Sequence, residues 1–159
     1  MTTPSTPDAP PVPPQEPGWV VARAAGAAPG FRTEITTGAH ALTVDEPASV
    51  GGGDAGPTPY DLLLAAIGAC TAMTVRMYAA RKGWPLEEAV VSIRTRRSHA
   101  ADCAECAEHE KELPRLRLER RVELRGPLTD EQRARMLAIA DRCPVKQALQ
   151  HGVMLHAEP

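Results

Sequence analysis

The sequence predicts an α+β fold, and three patterns carry that reading. Residues 115–125 alternate charged and apolar side chains, the period of a strand with one wet face. Residues 60–81 place Leu63, Ile67, Cys70, Thr74 and Met77 at helical spacing. Thr129-Asp130-Glu131-Gln132 has the spacing of a capping box and marks the start of a second helix.

Taken in order, residues 1–18 hold seven prolines and, apart from Val12, almost no apolar side chain. Such a segment buries too little surface to offset its ordering entropy and reads as a Pro-rich disordered tail. One folded domain is expected over 19–159. Residues 19–24, 31–37 and 40–45 read as short strands separated by Gly and Pro punctuation. The run from Gly51 to Pro59 lacks the Gly-Lys-Ser/Thr ending and the GxGxxG spacing of phosphate-binding loops, so it reads as a flexible connector. The helix over 60–81 follows, with Ala65, Ala66, Gly68, Ala69 and Ala72 admitting close approach of another element. Gly83 and Pro85 end it.

A strand is expected over 89–95, with Val91, Ile93 and Thr95 on one face. Residues 98–113 are polar and irregular. In the strand over 115–125, Leu116, Leu118, Val122 and Leu124 share a face that Arg120 interrupts. The second helix runs from the capping box to about Asp141 or Arg142. Cys143-Pro144 breaks it, and Pro144 suits the first position of a short helix reaching about Gln150. Residues 153–156 are expected to form a closing strand.

Composition narrows the function classes. A formal charge of -2 and five aromatic residues (Trp19, Phe31, Tyr60, Tyr78 and Trp84) argue against a nucleic-acid partner. No apolar run looks long enough to span a bilayer, so no membrane partner is expected. The N-terminus has no basic start or apolar middle of a signal peptide, which makes a cytoplasmic protein the default. There, cysteines are more often reactive or metal-binding than structural.

Cys70 lies on an inward, apolar helix face, where a free Cys is commonly a small core residue. Cys143 stands at the mouth of a helix, where amide dipoles favour a thiolate. A disulfide between them requires their helices to meet, which spacing alone does not establish. Cys103-Ala104-Glu105-Cys106, flanked by His99 and His109, offers four ligands to zinc within one loop. A second redox pair and an ordinary polar loop are the alternatives there.

Two stretches resemble a known family. Gly56-Pro57-Thr58-Pro59-Tyr60-Asp61-Leu62-Leu63-Leu64-Ala65-Ala66-Ile67-Gly68-Ala69-Cys70-Thr71 is similar to the start of the central helix of OsmC/Ohr proteins. Ile139-Ala140-Asp141-Arg142-Cys143-Pro144-Val145 resembles their second cysteine motif. Asp45-Glu46-Pro47, residues 78–83 and the Cys103/Cys106 segment look most like an OsmC-like branch. The resemblance implies antiparallel sheets wrapped around two central helices in an intertwined homodimer. It further implies a cofactor-free thiol peroxidase acting on organic hydroperoxides. Cys70 would be the peroxidatic thiolate and Cys143 its resolving partner, with an external dithiol as reductant. The better-known branches place an Arg and a Glu beside the reactive Cys. Here Gly38-Ala39-His40 and Tyr60-Asp61 fall at those places. His40 is therefore the expected cation, and Asp61 is expected to orient a neighbouring polar group. The competing readings are a protein holding zinc at the Cys103/Cys106 loop and a binder of a small apolar ligand.

Overall fold

A computed structural model describes residues 18–25, 30–96 and 116–156. They form five strands and three α-helices in two compact units, Met1–Leu62 and Leu63–Pro159.

In the first unit, β1 (Val20–Ala24), β2 (Thr33–Thr37) and β3 (His40–Val44) form an antiparallel meander in chain order. Thr37 pairs with His40 across a two-residue turn whose Gly38 has φ +55°. Positive φ at that position is what a tight hairpin requires. The chain then folds around a carboxylate. Asp45 is only 2% exposed and accepts from the amides of Glu46 at 2.8 Å, Gly53 at 3.0 Å and Ala55 at 3.2 Å. The Gly51–Pro59 stretch, expected to be a flexible connector, is thus a loop organised on one buried side chain. Two of its glycines serve proximity. A Cβ on Gly52 would run into the Glu46 carbonyl, and one on Gly56 into that of Thr43.

The unit boundary falls in the first turn of α1 (Pro59–Lys82). Thr58 and Asp61 cap that turn reciprocally. The Asp61 amide donates to Thr58 Oγ1 at 3.1 Å, and the Thr58 amide donates to Asp61 Oδ2 at 3.0 Å. The buried stripe of α1 is Ile67, Thr71, Val75 and Ala79. This corrects the expected face at its far end, since Met77 is 73% exposed. Both stripes share Ile67, but a strict four-residue step carries the small Thr71 and Ala79 inward, where neighbours approach closely. A second correction concerns membranes. By length and composition α1 is long and apolar enough to cross a bilayer, because the apolar helix continues past Arg76. Core helices pass the same test, and Val75 and Ala79 sit in a packed core.

In the second unit β4 (Glu88–Arg96) pairs with β5 (Arg117–Arg125) in an antiparallel two-stranded sheet, Glu88 opposite Arg125 and Arg96 opposite Arg117. Along β5, Leu118, Arg120, Val122 and Leu124 face inward as their alternation predicts. α2 (Asp130–Ala140) begins with the capping box read from sequence. Gln132 N donates to Thr129 Oγ1 at 3.2 Å, and Thr129 N to Gln132 Oε1 at 3.0 Å. Met136 and Ala140 pack with Val75 and Ala79, surrounded by Trp84, Leu86, Val122, Leu124 and Leu128. An arginine ties each end of α2 to β5. Arg133 donates to the carbonyls of Leu124 and Gly126, and Arg120 donates to that of Ala140 at 2.8 Å.

α3 (Pro144–His151) has Pro144 in its first turn, as expected. The closing strand expected over 153–156 is not formed. Neither ladder includes those residues, and Val153, Met154 and Leu155 are 63%, 85% and 93% exposed. Alternating apolar residues make a strand only where a partner edge supplies hydrogen bonds, and this unit leaves them without one.

Candidate functional site

The second unit brings Cys70 and Cys143 together. α1 carries Cys70, which is partly exposed. The break between α2 and α3 carries Cys143, which is the N-cap of α3 and fully buried. Both are free thiols. The two sulfurs are close enough for each to shift the ionisation of the other. Cys143 Sγ also lies 3.8 Å from the Ile67 carbonyl oxygen, one turn before Thr71 on α1.

The surroundings divide the two sulfurs electrically. Burial pushes the Cys70 thiol up, and its hydrogen bond to Cys143 adds to the rise by favouring the protonated form. The Val145 amide and the Thr74 hydroxyl oppose this only in part. Burial acts on Cys143 in the same direction but is outweighed. The hydrogen bond from Cys70, the amides of Lys146 and Val145, and the Thr71 hydroxyl together hold its pKa below the ordinary thiol range. These amides are the unpaired first N–H groups of α3, which favour negative charge. The pair therefore ionises as one unit, with the charge resting on Cys143 and the remaining proton on Cys70. In the neutral pair the Thr71 and Thr74 hydroxyls donate to the carbonyls of Ile67 and Cys70, at 2.8 and 2.7 Å. Each is placed to turn to the adjacent sulfur when that sulfur ionises.

Ion pairs flank the break. Arg120 donates through one guanidinium nitrogen to the Ala140 carbonyl and through the other to Asp141 Oδ1, both at 2.8 Å. Lys146 Nζ reaches the same Oδ1 at 2.9 Å. Lys146 and Arg120 hold the Asp141 carboxyl below its usual range, against a smaller upward push from burial. Beside them is an open pocket of about 430 Å³, lined by Ile67, Ile93, Leu118 and Leu149 with Arg120 and Lys146. Its walls suit an apolar group with a polar end.

The remaining candidates are placed as follows. His40 opens β3 and is exposed. Asp61 lies in the first turn of α1, where the Thr58 hydroxyl donates to it at 2.8 Å. That bond and the Thr58 amide lower its pKa. His99, Cys103, Cys106 and His109 lie outside the described residues. Among the described residues no group of three or more His, Cys, Asp or Glu could hold a metal ion.

Sequence reasoning passed over Thr71, Asp141 and Lys146. Two of them had a visible signal, an acid and a base on either side of Cys143-Pro144. Arg120 was noticed only as an interruption, yet a lone cation on an apolar strand face signals a buried acceptor.

The fold recurs in known proteins. A search of curated proteins finds no match. Among solved structures, an OsmC-like protein from Mycoplasma pneumoniae is similar with a TM-score of 0.61 at 18% identity, over 82% of this chain and 85% of that one. An organic hydroperoxide resistance protein OsmC from Legionella pneumophila, also described as a predicted redox protein, aligns with a TM-score of 0.55 at 20% identity, covering 86% and 92%. An organic hydroperoxide resistance protein from Elizabethkingia anophelis gives 0.55 at 16%, covering 82% and 86%. Likeness at these identities concerns the fold. The family model for OsmC-like protein matches residues 51–158, a span that holds both cysteines. With most of its length under that match, the chain belongs to the OsmC-like protein family.

Proposed function

We propose that this protein is a thiol peroxidase that reduces organic hydroperoxides through Cys70 and Cys143. The observation that carries the reading is the placing of Cys143, at the mouth of α3, against the turn of α1 that carries Cys70, with its sulfur 3.8 Å from the Ile67 carbonyl oxygen. Access and charge are split between the two. Cys70 is partly exposed, while Cys143 is buried and is the more readily ionised of the two.

The steps follow from that division. The organic group of the hydroperoxide sits in the apolar pocket beside Ile67. The Cys143 thiolate takes the Cys70 proton, and the Cys70 thiolate attacks the terminal peroxide oxygen. The O–O bond breaks, Cys70 becomes a sulfenic acid, and the departing alkoxide is protonated by Cys143 to an alcohol. The renewed Cys143 thiolate attacks the sulfenic sulfur and expels hydroxide, which takes a solvent proton to become water. An external dithiol then reduces the disulfide and is itself oxidised.

The α3 amides perform the activation for which His40 was the expected cation. The thiol titration of His40→Ala is accordingly expected to superimpose on wild type. A shifted midpoint would return the role to His40. The homodimer is part of the same proposal. Met73 and Met77 on α1 and residues 153–155 after α3 expose apolar surface that a second copy would cover.

The deciding experiment is consumption of cumene hydroperoxide with a dithiol present. Cys70→Ser is expected to abolish it. Cys143→Ser is expected to lose cycling and to slow the first turnover as well, because it removes the base. Undiminished consumption by Cys70→Ser would overturn the proposal. A second reading, binding of a small apolar ligand without turnover, draws on the same pocket. Ligand-dependent stabilisation in a wild type that leaves peroxide intact would favour it.

A further inference from the structure

Arg120 joins β5 to the cysteine-bearing break. Arg120 stands on the apolar face of that strand, with its side chain 21% exposed. Its fork spans the Ala140 carbonyl, an unpaired acceptor in the last turn of α2, and the carboxylate of Asp141, the C-cap of the same helix. Asp141 in turn receives Lys146 from the first turn of α3. These contacts bracket Cys143 from both sides. Residues 140 and 141 are held to β5, and residue 146 is held to residue 141 across the Cys143-Pro144 break.

We infer that Arg120, Asp141 and Lys146 form a clamp that positions Cys143 and the α3 amides against Cys70, and so sets the ionisation of the dithiol. None of the three side chains touches the sulfurs as a hydrogen-bond partner, so they are positioning residues. The inference rests on the Cys70/Cys143 redox reading for its use, but not for its test.

The geometry explains why such a clamp is needed. A capping sulfur is stabilised only while the amides point at it, and the stabilisation falls off within the first turn of a helix. Pro144 gives α3 its first-turn geometry but no hydrogen bond to hold the break. Cys143 itself has no backbone tie to β5. A carboxylate at the C-terminal end of α2 is also unfavourable to the helix dipole. It is retained here between two cations, which is what a clamp requires and a simple cap does not.

The clamp makes a prediction of sign. Among the described residues, the charged and titratable groups around Cys143 are Cys70 from α1, Arg120 from β5, Asp141 and Arg142 from the break, and Lys146 from α3. If Asp141 acted on the sulfurs only through its charge, its removal would free two cations and ease ionisation. If it acts by positioning, removal lets the amides drift and makes ionisation harder.

The test uses the reduced full chain in a Cys103→Ser/Cys106→Ser background. Thiolate absorbance in the ultraviolet is followed against pH, with Cys70 alkylation by iodoacetamide read by mass spectrometry. Asp141→Ala and Arg120→Ala are each expected to raise the first thiol midpoint by about one unit. That corresponds to a roughly tenfold smaller thiolate fraction below the midpoint. Asp141→Glu, which keeps the acceptor, is expected to recover part of the shift. Arg133→Ala removes the equivalent tie at the other end of α2 and is expected to lower the melting temperature without moving the midpoint. An unchanged or lowered midpoint in Asp141→Ala would overturn the clamp. If Arg120→Ala does not fold, the exposed Asp141 still decides the question by the sign of its shift. Peroxide consumption by the wild type is measured separately. Its absence would remove the proposed function and leave the titration result standing.

Discussion

Single residues divide into those that hold backbone and those that hold charge. Asp45 does the first. Burial alone would raise its pKa, but the amides of Glu46, Ala55 and Gly53, with the Arg32 charge, bring it below the usual value. A carboxyl lowered in the folded state stabilises above its unfolded pKa and loses that contribution as pH falls through the folded value. Asp45→Asn is therefore expected to destabilise at neutral pH and to flatten the loss of stability on acidification, as read from urea midpoints across pH. Cys143 does the second. Its charge comes from where the chain ends one helix and starts the next, so moving that break by a residue would remove it. Iodoacetamide should react with Cys70 faster as pH rises through the titration of the pair, and in Cys143→Ser that response should move to lower pH, because Cys143 supplies two of the upward pushes on the Cys70 thiol. A pH response unchanged by Cys143→Ser would show that the two sulfurs titrate independently.

Elements keep their places through their ends. The α2 capping box satisfies two amides at its start, and Arg120 and Arg133 tie its two ends to β5. Thr129→Ala is expected to cost about 1 kcal/mol, a fall of roughly 2–4 °C in melting temperature for a chain of this size. Met136 is fully buried among Val75, Ala79 and Ala140. Its truncation to Ala should cost about 2–5 kcal/mol by leaving a cavity. Differential scanning calorimetry separates the two, since one removes a hydrogen bond at a surface turn and the other empties the core. β5 was legible because its alternation is broken only at Arg120, and α2 because its capping box is a local code. The buried face of α1 was not, because Ala, Thr and Gly on every side give the helix little amphipathic bias. Which stripe turned inward was left to the neighbours.

At the scale of the whole molecule, the apolar surface outside the core is the chief feature. Met73, Met77, Met154 and Leu155 are 62%, 73%, 85% and 93% exposed, while the core cluster is small. Under the proposed homodimer, Met154→Glu should shift the chain towards monomer in analytical ultracentrifugation. If the wild type sediments as a monomer at micromolar concentration, the dimer is excluded. Residues 153–156 alternate as a strand does but find no ladder in their own unit. An alternating pattern states that a segment can pair, and leaves open with what.

The sequence by itself determined the element order as far as α3, the cap at Thr129, the first-turn Pro144 and the two cysteine motifs, because each is written in neighbouring residues. The family resemblance added roles for Cys70 and Cys143. Only the tertiary structure decided that the two sulfurs meet, and that the charge favours the buried one. The meeting depends on α1 and the α2–α3 break packing together, over a separation no local pattern spans. The charge depends on where the free amides of α3 point. Arg120 shows the difference most plainly. In the sequence it interrupts a strand face. In the fold it is the side chain that ties β5 to the segment carrying Cys143.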